Sequence, residues 1–158
     1  MASENKNLST YTGKNIGDMT NKRFALIVAE WNEEVTEALA SGAYETLLKH
    51  EVKATNVEKA YVPGSYELTL AAQKYAQRED IDAVICIGCV IQGETKHNDY
   101  INHAVAQGLT NASLKFDKPV IFGVLTPNDQ QQALDRAGGK YGNKGDEAAI
   151  TAIKMLAF

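Results

Sequence analysis

Four short apolar runs, separated by amphipathic stretches, set the rhythm of this chain. Arg23–Ala29 (Arg-Phe-Ala-Leu-Ile-Val-Ala) is apolar on both faces, which predicts a strand covered on both sides. Asn56–Val62 follows, stopped by Pro63-Gly64. Ala83–Ile91 is the third run, and Val120–Thr126, introduced by Pro119, is the fourth. Between them the hydrophobic period becomes helical. Glu33–His50 places Val35, Ala38, Leu39, Gly42, Thr46 and Leu47 on one stripe. Tyr66–Arg78 reads as a second helix, and His97–Lys115 as a third with Ile101, Ala104, Val105, Gly108 and Leu109 inward. Thr126-Pro127 predicts a cap followed by proline at the first helical position, with Gly138-Gly139 as the stop. A Gly/Lys/Asn loop then leads to a last helix from about Asp146 to Leu156.

Strands alternating with helices predict βαβ units, so the expected fold is α/β: a three-layer α/β/α sandwich around a four-stranded parallel sheet. The expected organisation is a flexible arm over residues 1–22, rich in Ser, Thr, Asn, Gly and Lys, and a single domain over 23–158. Four strands leave two open edges, and an open edge invites pairing with another chain. The arm is the candidate to add a strand to a neighbour.

Composition narrows the function classes. The 158 residues are 44% hydrophobic and 23% charged, ordinary for a globular domain and unlike a disordered chain. A net charge of −4 with no basic cluster argues against nucleic acid as a partner. The longest apolar run is too short to span a bilayer and is broken by Gly88, so no membrane role is expected. Two cysteines and no apolar leader predict a cytoplasmic location.

The chemistry concentrates between Gly88 and His97, Gly-Cys-Val-Ile-Gln-Gly-Glu-Thr-Lys-His. A strand's carboxyl end, a polar turn with free N–H groups and a titratable ring describe a small-molecule site, and ligands of open α/β sheets bind at such ends. His97 exchanges protons near neutral pH, although a histidine opening a helix is also an ordinary surface residue. Trp31, just past the first strand, reads either as core packing or as a flat wall for an aromatic ligand. Glu67 reads either as a dipole partner at a helix start or as an acceptor for a polyol. Arg136 and Lys144 bracket a glycine loop, either as helix-end charges or, for Arg136 above all, as phosphate ligands.

Two patterns mislead. Cys86-Ile87-Gly88-Cys89 has redox or zinc spacing, but inside a strand residues three apart face opposite sides, so the thiols cannot converge. Gly88 to Thr95 mimics a phosphate loop with Glu94 where its lysine belongs, which removes the main cation for a nucleoside triphosphate.

Taken together, Trp31-Asn32, Val62 through Glu67, Gly88 through His97, Val120 through Thr126, and Arg136-Ala137-Gly138 with Gly142 through Gly145 resemble the 6,7-dimethyl-8-ribityllumazine synthase family, over residues 23–158. The resemblance implies a flavodoxin-like sheet and a catalytic domain over 23–158. The implied enzyme is a transferase of riboflavin biosynthesis. It would condense 5-amino-6-(D-ribitylamino)uracil with 3,4-dihydroxy-2-butanone 4-phosphate, releasing phosphate and water, with no cofactor and no metal. By the same resemblance His97 transfers protons. Trp31, Ser65, Tyr66 and Glu67 hold the aminouracil and its ribityl chain, with Cys89, Val90 and Ile91 beside them. Asn32 and Gly64 lie close by. Glu94, Thr95 and Arg136 bind phosphate, Phe122 covers the ring, and Lys144 lies nearby. Phe122 and Arg136 would act across a subunit boundary. The implied assembly is a pentamer closed by heterologous contacts, and a 60-subunit shell of twelve pentamers. Riboflavin synthase is the candidate protein partner. A flavin-binding protein without turnover is the competing class, and such a binder has no need of His97 or Arg136.

Overall fold

The computed structural model describes residues 17–158. The expected arm therefore falls outside the described residues over positions 1–16. Met19, inside that arm, is buried in the core, and the Lys22 N–H donates back to its carbonyl oxygen.

Four parallel strands form the centre: β1 (Phe24–Ala29), β2 (Val57–Val62), β3 (Ala83–Cys89) and β4 (Val120–Leu125), in the order β2-β1-β3-β4. Phe24 stands beside Val57 on one side and Ala83 on the other, and Val84 beside Val120. The helices are α1 (Glu33–Lys49), α2 (Leu68–Ala76), α3 (His97–Phe116), α4 (Gln130–Leu134) and α5 (Lys144–Leu156). Every residue of β1 and β3 is buried, whereas the edge strands β2 and β4 are mixed. This is why the two central strands read as unbroken apolar runs.

Alternation along each strand feeds two cores. Phe24, Leu26 and Val28 of β1 join Ile85 and Ile87 of β3 against α1 and α5. Ala25 and Ile27 join Val84 and Cys86 against α2 and α3. The expected three-layer sandwich is present. Between α1 and α5 the backbones approach so closely that a Cβ on Gly145 would collide with the Leu39 carbonyl oxygen.

The region after β4 differs from expectation. Thr126-Pro127 does not open a helix, because the chain stays extended there. Val90 N–H donates to the Leu125 carbonyl at 2.8 Å, and Gln92 N–H to the Pro127 carbonyl at 2.9 Å. Asp129 is the cap instead, its Oδ1 accepting from Gln132 N–H at 2.8 Å. The short α4 ends at Leu134, and Ala137–Gly139 forms a strand, β5, antiparallel to β6 (Gly142–Asn143). Gly138 has φ 109°, a conformation closed to other residues, so the glycines here make a hairpin and not a helix stop. The last helix also starts two residues early, since Asn143 Oδ1 accepts from Gly145 N–H at 2.8 Å. α2 is shorter than its periodic stretch, because residues 63–67 form a turn before it.

Candidate active site

Strand order reverses between β1 and β3, since one connection from β1 runs outward to β2 and the next returns to β3 on its other side. The carboxyl ends of strands diverge at such a point and leave a crevice. A cavity of 710 Å³ opens there, and most of the sequence-predicted residues line it: Trp31, Asn32, Gly64, Ser65, Tyr66, Glu67, Cys89, Val90, Ile91, Thr95 and His97.

The crevice walls are tied to one another. Glu30 N–H donates to the Val62 carbonyl at 2.8 Å and Trp31 N–H to the Pro63 carbonyl at 3.1 Å, lacing the loop after β1 to the loop after β2. Asn32 adopts the left-handed conformation, φ 64°. That turns its side chain back across the crevice, where Nδ2 donates to the Cys89 carbonyl at 2.8 Å.

Trp31 is 73% exposed, so the core-packing reading fails and its ring is free to face a ligand. Ser65 is the opposite case: it is 6% exposed, and its Oγ has no hydrogen-bond partner. It packs against Gly88, where any side chain would strike that hydroxyl. A buried, unpartnered hydroxyl beside a cavity is a ready hydrogen-bonding group for a polar ligand. Tyr66 and Glu67 are exposed at the mouth, and Glu67 makes no capping hydrogen bond to α2.

His97 opens α3 with its side chain exposed, and its backbone N–H donates to Thr95 Oγ1 at 3.4 Å. Glu94 is exposed on the preceding turn and does not line the cavity. Gly93, Asn98, Tyr100 and Ile101 do line it, and sequence reasoning passed over them as site residues. The signal was available, since Tyr100 and Ile101 follow His97 by three and four positions and so share its helix face.

Phe122, Arg136 and Lys144 lie elsewhere in the chain. They line a second cavity, of 740 Å³, between β4, α4 and α5, and no residue belongs to both linings. Phe122 is 42% exposed there. Arg136 Nη1 donates to the Gln132 carbonyl at 3.0 Å, and its guanidinium carbon lies 4.9 Å from the centre of the Tyr141 ring. Lys144 Nζ pairs with the Glu147 carboxylate.

The cysteines face opposite cores, Cys86 with α2 and α3, Cys89 with α1 and α5. Burial pushes the Cys89 thiol up to about 11 and the Cys86 thiol higher still, so neither is a thiolate nucleophile at neutral pH. Among the described residues no cluster of His, Cys, Asp or Glu could hold a metal ion, and no helix is long and apolar enough to cross a membrane.

The fold and the crevice define a class: a flavodoxin-like α/β protein with a small-molecule pocket at the switch point of its parallel sheet. The profile of the 6,7-dimethyl-8-ribityllumazine synthase family matches residues 21–158, and the chain belongs to that family. A protein of Cytophaga hutchinsonii with that name is 59% identical, over 99% of this chain and 98% of its own length. Those of Parabacteroides distasonis (50%, over 100% and 99%) and Flavobacterium johnsoniae (52%, over 98% and 82%) carry the same name.

Proposed function

We propose that this chain condenses 5-amino-6-(D-ribitylamino)uracil with 3,4-dihydroxy-2-butanone 4-phosphate to form 6,7-dimethyl-8-ribityllumazine, phosphate and water, a step of riboflavin biosynthesis. The observation that carries the reading is the 710 Å³ crevice with Trp31 exposed on one wall and His97 on another, in a chain of this family. Its volume suits a heterocycle bearing a polyol chain. In this reading Trp31 stacks on the pyrimidine. Ser65, Tyr66, Glu67 and Asn32 meet its polar edge and ribityl hydroxyls, and Gly64 lets the backbone approach. Cys89, Val90 and Ile91 form the floor. Thr95 and the N–H groups of residues 93–95, Glu94 included, meet the phosphate, as does Arg136.

The chemistry asks little of the protein beyond alignment. The substrate amine attacks the ketone and a first water leaves to give an imine. Loss of the proton on the adjacent carbinol carbon expels phosphate, and the resulting enol takes up a proton to become a carbonyl. The second amine adds to that carbonyl, and a second water leaves as the ring closes. Holding two substrates in register lowers such a barrier by roughly 7–11 kcal/mol. His97 moves protons at these steps, reaching the reacting atoms from the start of α3.

Phe122, Arg136 and Lys144 line a different cavity from His97, which supports a site completed by a neighbouring chain. We place these chains in a pentameric ring, with packing of twelve rings into a shell as the larger assembly and riboflavin synthase as a candidate partner. The cytoplasm is the compartment, and the free thiols of Cys86 and Cys89 are in keeping with it. Residues 23–158 form the catalytic domain in this reading. The test is to mix the two substrates with the purified protein and follow the absorbance of the lumazine. A protein that binds the product but leaves the substrates unchanged overturns the assignment.

A further inference from the structure

The second cavity carries two cations and one carboxylate: Arg136, Lys144 and Glu147. Arg136 has no carboxylate partner among the described residues, only the Gln132 carbonyl and the Tyr141 ring. Lys144 is held differently. Its Nζ pairs with Glu147 one turn along α5, and the two side chains keep only 16% and 12% of their surface exposed. A desolvated ion pair of this kind is weak evidence for stability, because the cost of burying both charges offsets much of their attraction. Lys144 is also the first residue of α5, where the positive end of the helix disfavours a cation. The following positions obey the rule, with Asp146 and Glu147 in the first turn. A charge that breaks a local rule and lines a cavity points to a function.

We propose that Glu147 is the positioning residue and counter-charge of the phosphate subsite. It holds Lys144 Nζ at the cavity wall and competes with bound phosphate for it, so that product phosphate is released. The inference rests on the condensation proposed above. An arriving phosphate group meets one unpaired cation, Arg136, and one that is already neutralised. Part of the Lys144–Glu147 attraction is given up on binding and recovered when phosphate departs. Without the carboxylate the cavity would present two uncompensated cations and retain the dianion.

Glu147→Gln keeps the shape and a carbonyl acceptor for Lys144 and removes only the charge. Inorganic phosphate is then expected to inhibit with a constant about tenfold lower than in the wild type, the effect of one unit charge near a partly desolvated anion. KM for the phosphate-bearing substrate falls with it, while KM for the aminouracil stays unchanged. The double variant Lys144→Gln/Glu147→Gln restores the wild-type phosphate constant or weakens it. It also serves where the single variant folds poorly. A phosphate constant unchanged or raised in Glu147→Gln overturns the proposal. Calorimetric titration of each protein with inorganic phosphate separates this failure from that of the reaction assignment. A wild type that does not condense the substrates, with Glu147→Gln still binding phosphate more tightly, would sink the reaction and leave the counter-charge standing.

Discussion

Asn32 Nδ2 donates to the carbonyl oxygen of Cys89 at 2.8 Å, joining the loop after β1 to the carboxyl end of β3 across the crevice. Two properties of asparagine serve this contact: a short amide that reaches the carbonyl, and tolerance of the left-handed backbone at φ 64°. Asn32→Ala loses both, and is expected to lower stability by about 2 kcal/mol, roughly half from backbone strain and half from the hydrogen bond. Asn32→Gly keeps the backbone freedom and should lose only about 1 kcal/mol. Urea denaturation compares the two, and equal losses would remove backbone strain from the account.

How much of this could be read from the chain follows from what each element packs against. β1 and β3 were legible because both faces are buried, and α1, α3 and α5 because each presents one apolar stripe. The convergence of Trp31, Ser65 and His97 followed from topology once the strands were placed. The region from Thr126 to Asn143 was not legible. Thr126-Pro127 carries a helix-start pattern, and backbone pairing with the segment after β3, Val90 to Leu125 and Gln92 to Pro127, holds it extended. That pairing is a long-range contact with no local signature. Gly138-Gly139 serves a helix stop and a hairpin equally well, and the short partner strand β6 decides between them. Trp31 was ambiguous for a related reason, since exposure of a tryptophan depends on what the fold leaves uncovered.

His97→Ala is expected to slow condensation by about 100- to 10,000-fold without abolishing it, since alignment of the substrates carries the rest of the rate. The pH profile should change with the rate. A pH dependence shown by the wild type should be lost in the variant. A variant with the wild-type rate and profile would take His97 out of the mechanism.

At the opposite end of the sheet, Glu58 accepts two hydrogen bonds from Arg78, at 3.0 and 2.9 Å, and one from the Tyr75 hydroxyl at 2.9 Å. The Arg78 guanidinium, then the Tyr75 hydroxyl, hold this carboxyl below its ordinary value. A depressed folded-state pKa contributes stability above the unfolded value and loses it as pH falls through the folded one. The stability gap between wild type and Glu58→Gln should therefore be full at neutral pH and close below about pH 4. Asp146 runs the other way, because burial against α1 raises its carboxyl. Its folded state holds the proton more tightly, so this group costs stability as pH rises from its ordinary value through the raised folded one, and Asp146→Asn should gain relative to wild type at neutral pH. Denaturation midpoints at pH 3, 5 and 7 check both signs; parallel pH curves for wild type and variants would refute them.

The separation of the two cavities leads to the last prediction. If each working site takes His97 from one chain and Arg136 from its neighbour, defects in the two residues should complement each other. Arg136→Ala alone should raise KM for the phosphate-bearing substrate at least tenfold, by loss of charge-assisted hydrogen bonds worth about 1.5–3 kcal/mol. His97→Ala alone loses turnover as argued above. Co-expressed, the two chains mix in one ring, and random placement makes about a quarter of the interfaces wild type on both sides, because heterologous contacts pair unlike faces of successive chains. Assayed well below the wild-type KM for the phosphate-bearing substrate, the mixed assembly should then reach about a quarter of wild-type activity, against about a tenth or less for Arg136→Ala and about a hundredth or less for His97→Ala. Analytical ultracentrifugation of the same sample reports the assembly: a species near five chains supports the free ring, and a megadalton particle the shell. Mixed rings no more active than the average of their parents, or an active monomer, would return the whole site to a single chain and overturn the shared pocket.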